Sequence, residues 1–213
     1  MEIERFLDDL PGRFDDFPAS EEPRDPRYRE VLEAVPGLAR PNNLALLNLA
    51  ACLLPQGESY VEVGTFRGTS LVAAMLGNEA DFVGIDDFSF RDGTREQLER
   101  NLGRFGLSGA TILEGDAFEL VPAGALGDRR VGVYYYDNGH EYEQQLEGLR
   151  MIEPYLADRA LLIVDDSDWD RVARATADYL ESQPRARLLL ELGGKDRGAP
   201  AWWEGVQVLA WEA

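Results

Sequence analysis

The stretch SYVEVGTFRGTSLVAAMLGN at residues 59–78 decides the fold. Its first residues form a short apolar run typical of a buried strand, and the residues from Thr69 onward have the apolar spacing of a helix. Gly64 and Gly68 lie between the two, and glycine allows a tight turn and a close approach of the backbone to a ligand. We therefore expect a strand that turns directly into a helix beside a ligand site.

The same alternation continues along the chain. Further strand-type runs are DFVGID (81–86), ATILEGD (110–116), VGVYYYD (131–137) and ALLIVDD (160–166), and the segments between and after them have helical periodicity. Strands that alternate with helices predict a parallel sheet with helices on both faces. The last two runs, at 185–193 and 205–212, flank a loop with no room for a helix, which predicts a closing antiparallel hairpin.

Upstream of the sheet, residues 42–54 are apolar at helical spacing, with Asn42 or Asn43 as the expected N-cap. Residues 1–41 are charged and interrupted by prolines, which predicts a helical or irregular cap segment before a main domain at 42–213. Cys52 has apolar neighbours in the sequence, so we expect a buried structural thiol.

Composition excludes several classes of protein. The chain has 213 residues, with 40 acidic against 21 basic residues and a net charge of -19. Such a charge repels phosphate backbones and anionic membranes, which predicts that neither nucleic acid nor membrane is a partner. No stretch approaches the roughly 18 apolar residues of a membrane helix, and no secretory signal pattern begins the chain. With a single cysteine, these features lead us to expect a cytoplasmic protein.

The predicted strands end in residues suited to ligand binding. In open α/β sheets, ligands bind beyond the carboxyl ends of the strands. Glycine and aspartate are common in turns, which explains any one of these strand ends, but five such strand ends in succession favour a ligand site. The endings, in chain order, are Gly64 with Gly68, Asp86 with Asp87, Asp116, Asp137 with His140, and Asp165 with Asp166.

Individual residues restrict the class of ligand that this site can bind. Phe66 occupies the place of the middle glycine of a dinucleotide-binding turn, which argues against NAD or FAD. Asp86 follows Gly64 by about 20 residues, where a carboxylate accepts hydrogen bonds from ribose hydroxyls. Asp116 is suited to an adenine amine, with Ala117 along the ring, or to capping the next helix. Glu62 lies in an apolar strand and requires hydrogen bonds from backbone amides or from a ligand.

The motifs EVGTFRGTS, GIDDF, EGDAFE, YYYDNGHEYEQQLEGLRMIEPYL and LLIVDDSDW, in this order, resemble class I S-adenosylmethionine-dependent methyltransferases. The resemblance runs from about Asn42 to the C-terminus and looks closest to the branch with bacterial macrolide sugar O-methyltransferases and catechol O-methyltransferase. It implies a Rossmann-like, doubly wound sheet of seven mostly parallel strands with a reversed last strand, in agreement with the hairpin. It also implies the cofactor-binding residues Glu62, Gly64, Thr65, Gly68, Ser70, Asp86, Asp87, Asp116 and Ala117.

By the same resemblance, those relatives that bind a divalent metal take its ligands from the ends of the fourth and fifth strands. The corresponding residues here are Asp137, Asp165 and Asp166. Carboxylate oxygens suit a hard cation such as Mg²⁺. The alternative is that Asp137 contacts substrate or cofactor, while Asp165 or Asp166 caps the next helix.

His140 is the only histidine of the chain. A neutral imidazole can take a hydroxyl proton near pH 7, so His140 is the candidate catalytic base, together with Asp137 at the substrate hydroxyl. The alternative is a structural residue in the first turn of a helix. Trp202 and Trp203, and also Trp169, are candidates for an apolar pocket wall; Lys195 or Arg197 could face an acidic substrate.

We therefore expect an enzyme that transfers a methyl group to a hydroxyl of a small molecule, with divalent-metal assistance. Alternatives on the same fold are N-methylation, hydroxylase-type chemistry and a non-catalytic cofactor-binding or dimerisation module. A nicotinamide oxidoreductase ranks last because of Phe66. Residues 1–41 are a candidate lid or a contact of a homodimer.

Overall fold

A computed structural model of the protein describes residues 1–91, 94–193 and 202–213. Its sheet has seven strands in the order β3-β2-β1-β4-β5-β7-β6. The first five strands of that order are parallel, and β7 runs antiparallel to both β5 and β6. This confirms the predicted sheet and its closing hairpin. The strands are β1 Glu58–Val63, β2 Asp81–Asp86, β3 Thr111–Glu114, β4 Arg130–Tyr136, β5 Leu156–Val164, β6 Ala186–Leu192 and β7 Val206–Glu212.

Helices cover both faces of the sheet, because the side chains of each strand alternate between two apolar cores. In β1, Tyr60 faces the core formed with α1 to α5, whereas Val61 and Val63 face the core formed with α6 to α8. The helices are α1 Ile3–Asp9, α2 Arg27–Ala34, α3 Pro41–Cys52, α4 Thr69–Met75, α5 Arg95–Arg104, α6 Ala117–Leu120, α7 Tyr142–Met151 and α8 Asp170–Ser182. Short 3-10 turns lie at Pro11–Arg13 and Glu153–Tyr155.

The predicted start of α3 was wrong. Its N-cap is Arg40, in extended conformation, and Pro41 is the first helical residue, a position where its fixed φ and missing N–H are tolerated. Asn42 and Asn43 are buried within the helix, and the Asn42 side chain accepts from the Asn43 backbone amide.

The expectation of a buried Cys52 was also wrong. Cys52 is the last residue of α3, and its side chain is exposed. Sequence neighbours of a helical residue point in other directions, so the burial of Ala51 and Leu53 does not extend to the side chain between them.

Residues near the N-terminus pack into the same core as α3 and α4. Ile3 and Phe6 of α1 are buried there. A polar network ties α2 to this core: Arg27 and the Tyr28 hydroxyl donate to the Asn48 side-chain oxygen at 2.8 and 2.9 Å. Asn48 donates in turn to the backbone of Ala73 in α4. The segment that follows α2 is therefore held in a defined place over the sheet.

Among the described residues, no helix has both the length and the apolar character required to cross a membrane.

Candidate functional site

A cavity of about 420 Å³ opens at the carboxyl edge of the parallel strands. Its wall comes from the loops after β1, β2, β4 and β5, from the segment between α2 and α3, and from the loop before β7. The lining residues are Gly37, Leu38, Ala39, Gly64, Thr65, Phe66, Thr69, Ser70, Asp86, Asp87, Ser89, Phe90, Arg91, Tyr135, Asp137, Asn138, Gly139, His140, Asp166 and Trp203. Residues from the ends of four strands, β1, β2, β4 and β5, therefore meet in one place, as their position on parallel strands favours.

A second hollow of about 1020 Å³ lies at the opposite edge of the sheet, around the amino ends of the strands. None of the candidate site residues lines it. Two of its charged side chains, Arg129 and Asp81, pair with each other at 2.7 Å. We therefore place the functional site in the smaller cavity.

Gly64 brings the ends of β1 and β4 together. Its φ is +93°, and a Cβ built there would lie 1.9 Å from the carbonyl oxygen of Asp137. The Asp137 amide also donates to the Val63 carbonyl. A glycine is thus required both for the left-handed conformation and for the contact with β4. This contact places Asp137 beside the turn that leads into α4.

Glu62 lies beneath that turn and is fully buried. Its two carboxylate oxygens accept from the Ser70 hydroxyl at 2.7 Å and from the Tyr60 hydroxyl at 2.9 Å. A buried carboxylate requires hydrogen bonds, and within the described structure those of Glu62 come from two side-chain hydroxyls and not from backbone amides. Burial raises the pKa of Glu62 to about 7. Ser70 links this carboxyl to the cavity wall.

Asp86 fixes the loops after β1 and β2. One carboxylate oxygen accepts from the Phe66 amide at 2.7 Å, and the other from the Phe88 amide at 2.6 Å. The carboxylate still has lone-pair capacity for a ligand hydroxyl. Burial raises the pKa of Asp86. Asp87 is exposed and accepts from the Ser89 amide in a local turn.

Backbone strain concentrates at this edge of the sheet. Five non-glycine residues of the described chain have positive φ angles between 47° and 53°, and all lie in loops at this edge. Such conformations cost free energy and cluster at functional sites. Four of the five line the cavity. The residues are Phe66, Phe88, Arg91, Asp166 and Trp203, and all except Phe88 are lining residues.

Asp137, His140 and Asp166 form the polar end of the cavity. The His140 Nε2 atom lies 3.2 Å from a carboxylate oxygen of Asp166 and 4.0 Å from one of Asp137. One ligand atom from each residue can be chosen so that all three lie within 4.8 Å of one another, a spacing that could hold a metal ion. Burial, and then the charge of Arg171, lower the pKa of His140. The lowered pKa favours the neutral imidazole.

Burial and neighbouring negative charges also raise the pKa values of the carboxylates at this end of the cavity. Burial and the charges of Asp165 and Asp166 raise the pKa of Asp137 well above its usual value. Burial, followed by the charge of Glu204, raises the pKa of Asp166 to about 6. One oxygen of Asp166 is buried without a hydrogen-bond partner in the described structure.

Asp165 takes a different place from Asp166. It does not line the cavity, and one of its oxygens accepts from the Tyr135 hydroxyl at 2.8 Å. Burial and the neighbouring Asp166 raise its pKa to about 8. Of the three predicted metal ligands, the structure brings Asp137 and Asp166 to the cavity and adds His140 in place of Asp165.

Asp116 caps a helix in this structure. Its side chain accepts from the Phe118 amide at the start of α6 and is exposed to solvent. Ala117 is buried in the second core. Neither residue lines the cavity, and their predicted contact with adenine stays a prediction.

Sequence reasoning selected no residue of the N-terminal segment, yet Gly37, Leu38 and Ala39 form one rim of the cavity. The Thr69 hydroxyl donates to the Val35 carbonyl at 3.0 Å. A Cβ on Gly37 would lie 2.3 Å from that same hydroxyl oxygen. No local sequence pattern predicts this contact, because it joins segments more than thirty residues apart.

One of the candidate tryptophans lines the cavity and another lies in the core. Trp203 lines the cavity, as expected, whereas Trp202 is buried against Phe14 and Phe17 and donates to the Pro18 carbonyl. Trp169 packs edge to face against the His140 ring at a centroid distance of 5.0 Å. The expected substrate contacts of Lys195 and Arg197 lie outside the described residues.

Comparison with known proteins agrees with the fold. The sequence model of a family described as a methyltransferase domain matches residues 61–167, half of the chain. The O-methyltransferase TomG from Streptomyces achromogenes, solved with SAM, superposes with a TM-score of 0.66 at 19% identity, covering 100% of this chain and 99% of that one. An O-methyltransferase from Bacillus cereus, solved with SAH, gives a TM-score of 0.66 at 15% identity and coverages of 89% and 92%.

Among curated proteins, a tRNA (guanine-N(7)-)-methyltransferase from Nitrosococcus oceani is 29% identical over an alignment of 177 positions, which covers 73% of this chain and 74% of the relative. The family match extends from β1, through the glycine turn and the strand-end carboxylates, to the loop that follows β5. It therefore covers most of the elements that build the cavity. The chain belongs to the methyltransferase-domain family.

Proposed function

We propose that this protein transfers the methyl group of S-adenosylmethionine to a hydroxyl of a small molecule. One observation carries the proposal: a single cavity joins the glycine turn at Gly64 and the carboxylate of Asp86 to His140 and Asp137. The first pair suits a nucleoside cofactor, and the second suits a hydroxyl that must lose its proton. The methyltransferase family and the O-methyltransferases of the same fold support this arrangement.

For the cofactor, Gly64 and Thr65 form the surface that the ligand approaches, and Ser70 connects it to the buried Glu62. Asp86 offers its remaining lone pairs to the ribose hydroxyls. Gly68, Asp87, Asp116 and Ala117 complete the proposed set. S-adenosylmethionine supplies a methyl group already activated by a positive sulfonium, so the protein mainly aligns the acceptor oxygen with it.

For the acceptor, His140 takes the hydroxyl proton. Its lowered pKa keeps the imidazole neutral, and Asp166, 3.2 Å from Nε2, stabilises the positive ring that forms on protonation. Trp169 packs against the ring and limits its rotation. Asp137 lies beside Gly64 and is suited to orient the acceptor between base and cofactor.

A small acceptor is favoured over tRNA, although one curated relative is a tRNA methyltransferase. The chain carries a net charge of -19, and four carboxylates line the cavity against one arginine among the described lining residues. Binding of a phosphate backbone needs clustered basic side chains.

We also propose a divalent cation at the polar end. Asp137 and Asp166 offer oxygens and His140 a nitrogen, and one buried oxygen of Asp166 has no hydrogen-bond partner in the described structure. A coordinated imidazole has no lone pair left for the acceptor proton, so in this second arrangement His140 is a ligand and not the base. A cation there would lower the pKa of an acceptor hydroxyl. Asp165 belongs to the alternative ligand set, Asp137 with Asp165 and Asp166; one of its oxygens accepts from Tyr135, and the other has no hydrogen-bond partner in the described structure.

The first experiment is calorimetric titration of S-adenosylmethionine and of its demethylated product into the purified protein. Labelled methyl transfer to a panel of hydroxyl and amine compounds follows. We expect saturable binding and labelling of hydroxyl compounds. His140→Gln should reduce the rate of transfer by about 10²-fold or more while cofactor affinity is kept. Gln144→Ala, an exposed residue of α7, is the control.

No cofactor binding would refute the proposal. Labelling of amines alone would instead favour N-methylation on the same fold.

The metal is tested by titrating Mg²⁺ and Mn²⁺ into the wild type and two variants. If Asp137, His140 and Asp166 hold the ion, Asp166→Asn abolishes the binding heat and Asp165→Asn retains it. A mixed nitrogen and oxygen set would also bind Mn²⁺ more tightly than Mg²⁺. Loss of binding in both variants would favour the all-aspartate set. No heat with the wild type would remove the metal from the mechanism.

A further inference from the structure

We propose that the methyl acceptor is an aromatic ring that carries a carboxylate, with the ring packed against Leu38, Phe90 and Trp203 and the carboxylate bound by Arg91. The inference rests on the proposed function, because it assigns the acceptor for the same cavity.

The cavity mouth exposes large apolar side chains. Only three large hydrophobic residues of the described chain are exposed, and two of them, Leu38 at 41% and Phe90 at 49%, line this cavity. They come from the N-terminal segment and from the loop after β2. Trp203 adds a third apolar surface from the loop before β7. Exposed apolar groups gathered at a pocket mark a binding surface.

This surface is preformed. The Phe66 and Phe90 rings meet edge to face, with a centroid distance of 5.5 Å and an interplanar angle of 68°. Phe66 has a positive φ of 47°, and its amide donates to Asp86. The guanidinium of Arg67 stacks on Phe66 at 4.8 Å. Contacts within the protein thus orient both rings toward each other at the mouth.

The chemistry of the mouth favours an aromatic ring over a sugar. Buried sugar hydroxyls would lose hydrogen bonds to water, and the side chains of Leu38 and Phe90 cannot replace them. A flat apolar ring loses no hydrogen bond there and packs well against other aromatic rings.

Arg91 supplies the charge. It is the only arginine or lysine among the described lining residues, and its guanidinium stacks on Phe90 at 4.7 Å. It forms no ion pair with any described residue, although the chain has 40 acidic residues. It also has a positive φ of 52°. A strained, pocket-lining arginine that forms no ion pair with any described acidic side chain is suited to a carboxylate, which guanidinium binds with two hydrogen bonds.

The acceptor carries a single negative charge. Four lining carboxylates, Asp86, Asp87, Asp137 and Asp166, would repel further anionic groups. A carboxylate on Arg91 is therefore tolerated, whereas a phosphate, with nearly two charges, is disfavoured.

The test compares three ring compounds that differ in charge. We would titrate p-hydroxybenzoate, phenol and tyramine into the protein saturated with S-adenosylhomocysteine. In the wild type, p-hydroxybenzoate should bind about tenfold more tightly than phenol, and tyramine no more tightly than phenol. Arg91→Gln should remove the advantage of p-hydroxybenzoate, and Arg91→Lys should restore part of it. Arg100→Gln, an exposed arginine of α5, is the matched control.

Phe90→Ala and Leu38→Ala should weaken the binding of p-hydroxybenzoate and of phenol by similar factors, because the two compounds have the same ring. Equal binding of p-hydroxybenzoate and phenol, tighter binding of tyramine, or equal loss for both ligands in Arg91→Gln would overturn the proposal. If S-adenosylhomocysteine binds and no ring compound does, the acceptor assignment fails and the proposed function stands. If S-adenosylhomocysteine does not bind, the proposed function itself fails.

Discussion

Two glycines show how single atoms decide the geometry of the cavity. At Gly64 an added Cβ would overlap the carbonyl of Asp137, and at Gly37 it would overlap the hydroxyl of Thr69. The first contact brings β1 to β4, and the second brings the N-terminal segment to α4. Both positions line the cavity, so its floor and one rim depend on the absence of a side chain.

Gly64→Ala is expected to destabilise the protein by more than about 2 kcal/mol and to abolish cofactor binding, since it adds both backbone strain and overlap with β4. Gly57→Ala is the matched control: its φ is +87°, but nothing lies within 4 Å of the added atom. It should cost about 1 kcal/mol, from strain alone. Denaturant unfolding and calorimetric titration measure both effects, and equal losses in the two variants would contradict the steric argument.

The buried Glu62 makes stability depend on pH. Its pKa is about 7 in the folded protein against 4.5 for the ordinary group. Between these values the unfolded chain releases the proton and the folded chain keeps it, so the free energy of unfolding falls as pH rises from 4.5 to 7. The contribution is on the order of 3 kcal/mol in total.

Glu62→Gln should remove this contribution. As pH rises from 4.5 to 7, the free energy of unfolding of the wild type should therefore fall relative to that of the variant. Unfolding in urea at a series of pH values measures it. A difference that stays constant with pH would show that the carboxyl does not titrate in this range.

At the scale of elements, loops are held by caps and by contacts between segments. Helix α5 begins with a capping box, in which the Thr94 hydroxyl accepts from the Gln97 amide and the Gln97 side chain accepts from the Thr94 amide. The N-terminal rim is instead held by a buried hydrogen bond from Thr69. The two threonines provide a direct comparison between local and long-range support.

Thr94→Ala should destabilise the protein by about 1 kcal/mol through loss of the cap. Because Thr94 does not line the cavity, affinity for S-adenosylmethionine should remain unchanged. Thermal unfolding and calorimetric titration test the two statements. A strong loss of affinity would show that the start of α5 takes part in binding.

Thr69→Val keeps the size of the side chain and removes the donor to the Val35 carbonyl. An unpaired buried carbonyl costs about 1 to 3 kcal/mol. Hydrogen exchange should accelerate at residues 35–39, while α5 keeps its protection. Thr94→Ala should show the reverse pattern. Unchanged exchange at 35–39 would mean that other contacts hold the rim.

At the scale of the whole molecule, charge governs behaviour in solution. A net charge of -19 on 213 residues destabilises the compact state by self-repulsion, which salt screens. The melting temperature should therefore rise as potassium chloride is added in the presence of a chelator. A melting temperature that falls with salt would indicate that attractive ion pairs dominate.

The sequence alone determined the architecture. Strand and helix periods are local properties, and their alternation leads to a parallel sheet whose carboxyl ends must share one edge. For this reason the cavity contains Gly64, Asp86, Asp137, His140 and Asp166 where the strand ends predicted them. The antiparallel hairpin followed from the loop between the last two strands, which is too short for a crossover helix.

Only the tertiary structure decided which side chains face the cavity. Asp165 and Asp166 are adjacent in sequence, but long-range pairing of Asp165 with β4 and of Ser167 with Gly205 directs one aspartate to Tyr135 and the other to His140. The rim at Gly37–Ala39 depends likewise on a distant contact with Thr69. These choices rest on contacts between residues far apart in the chain, which local periodicity does not encode.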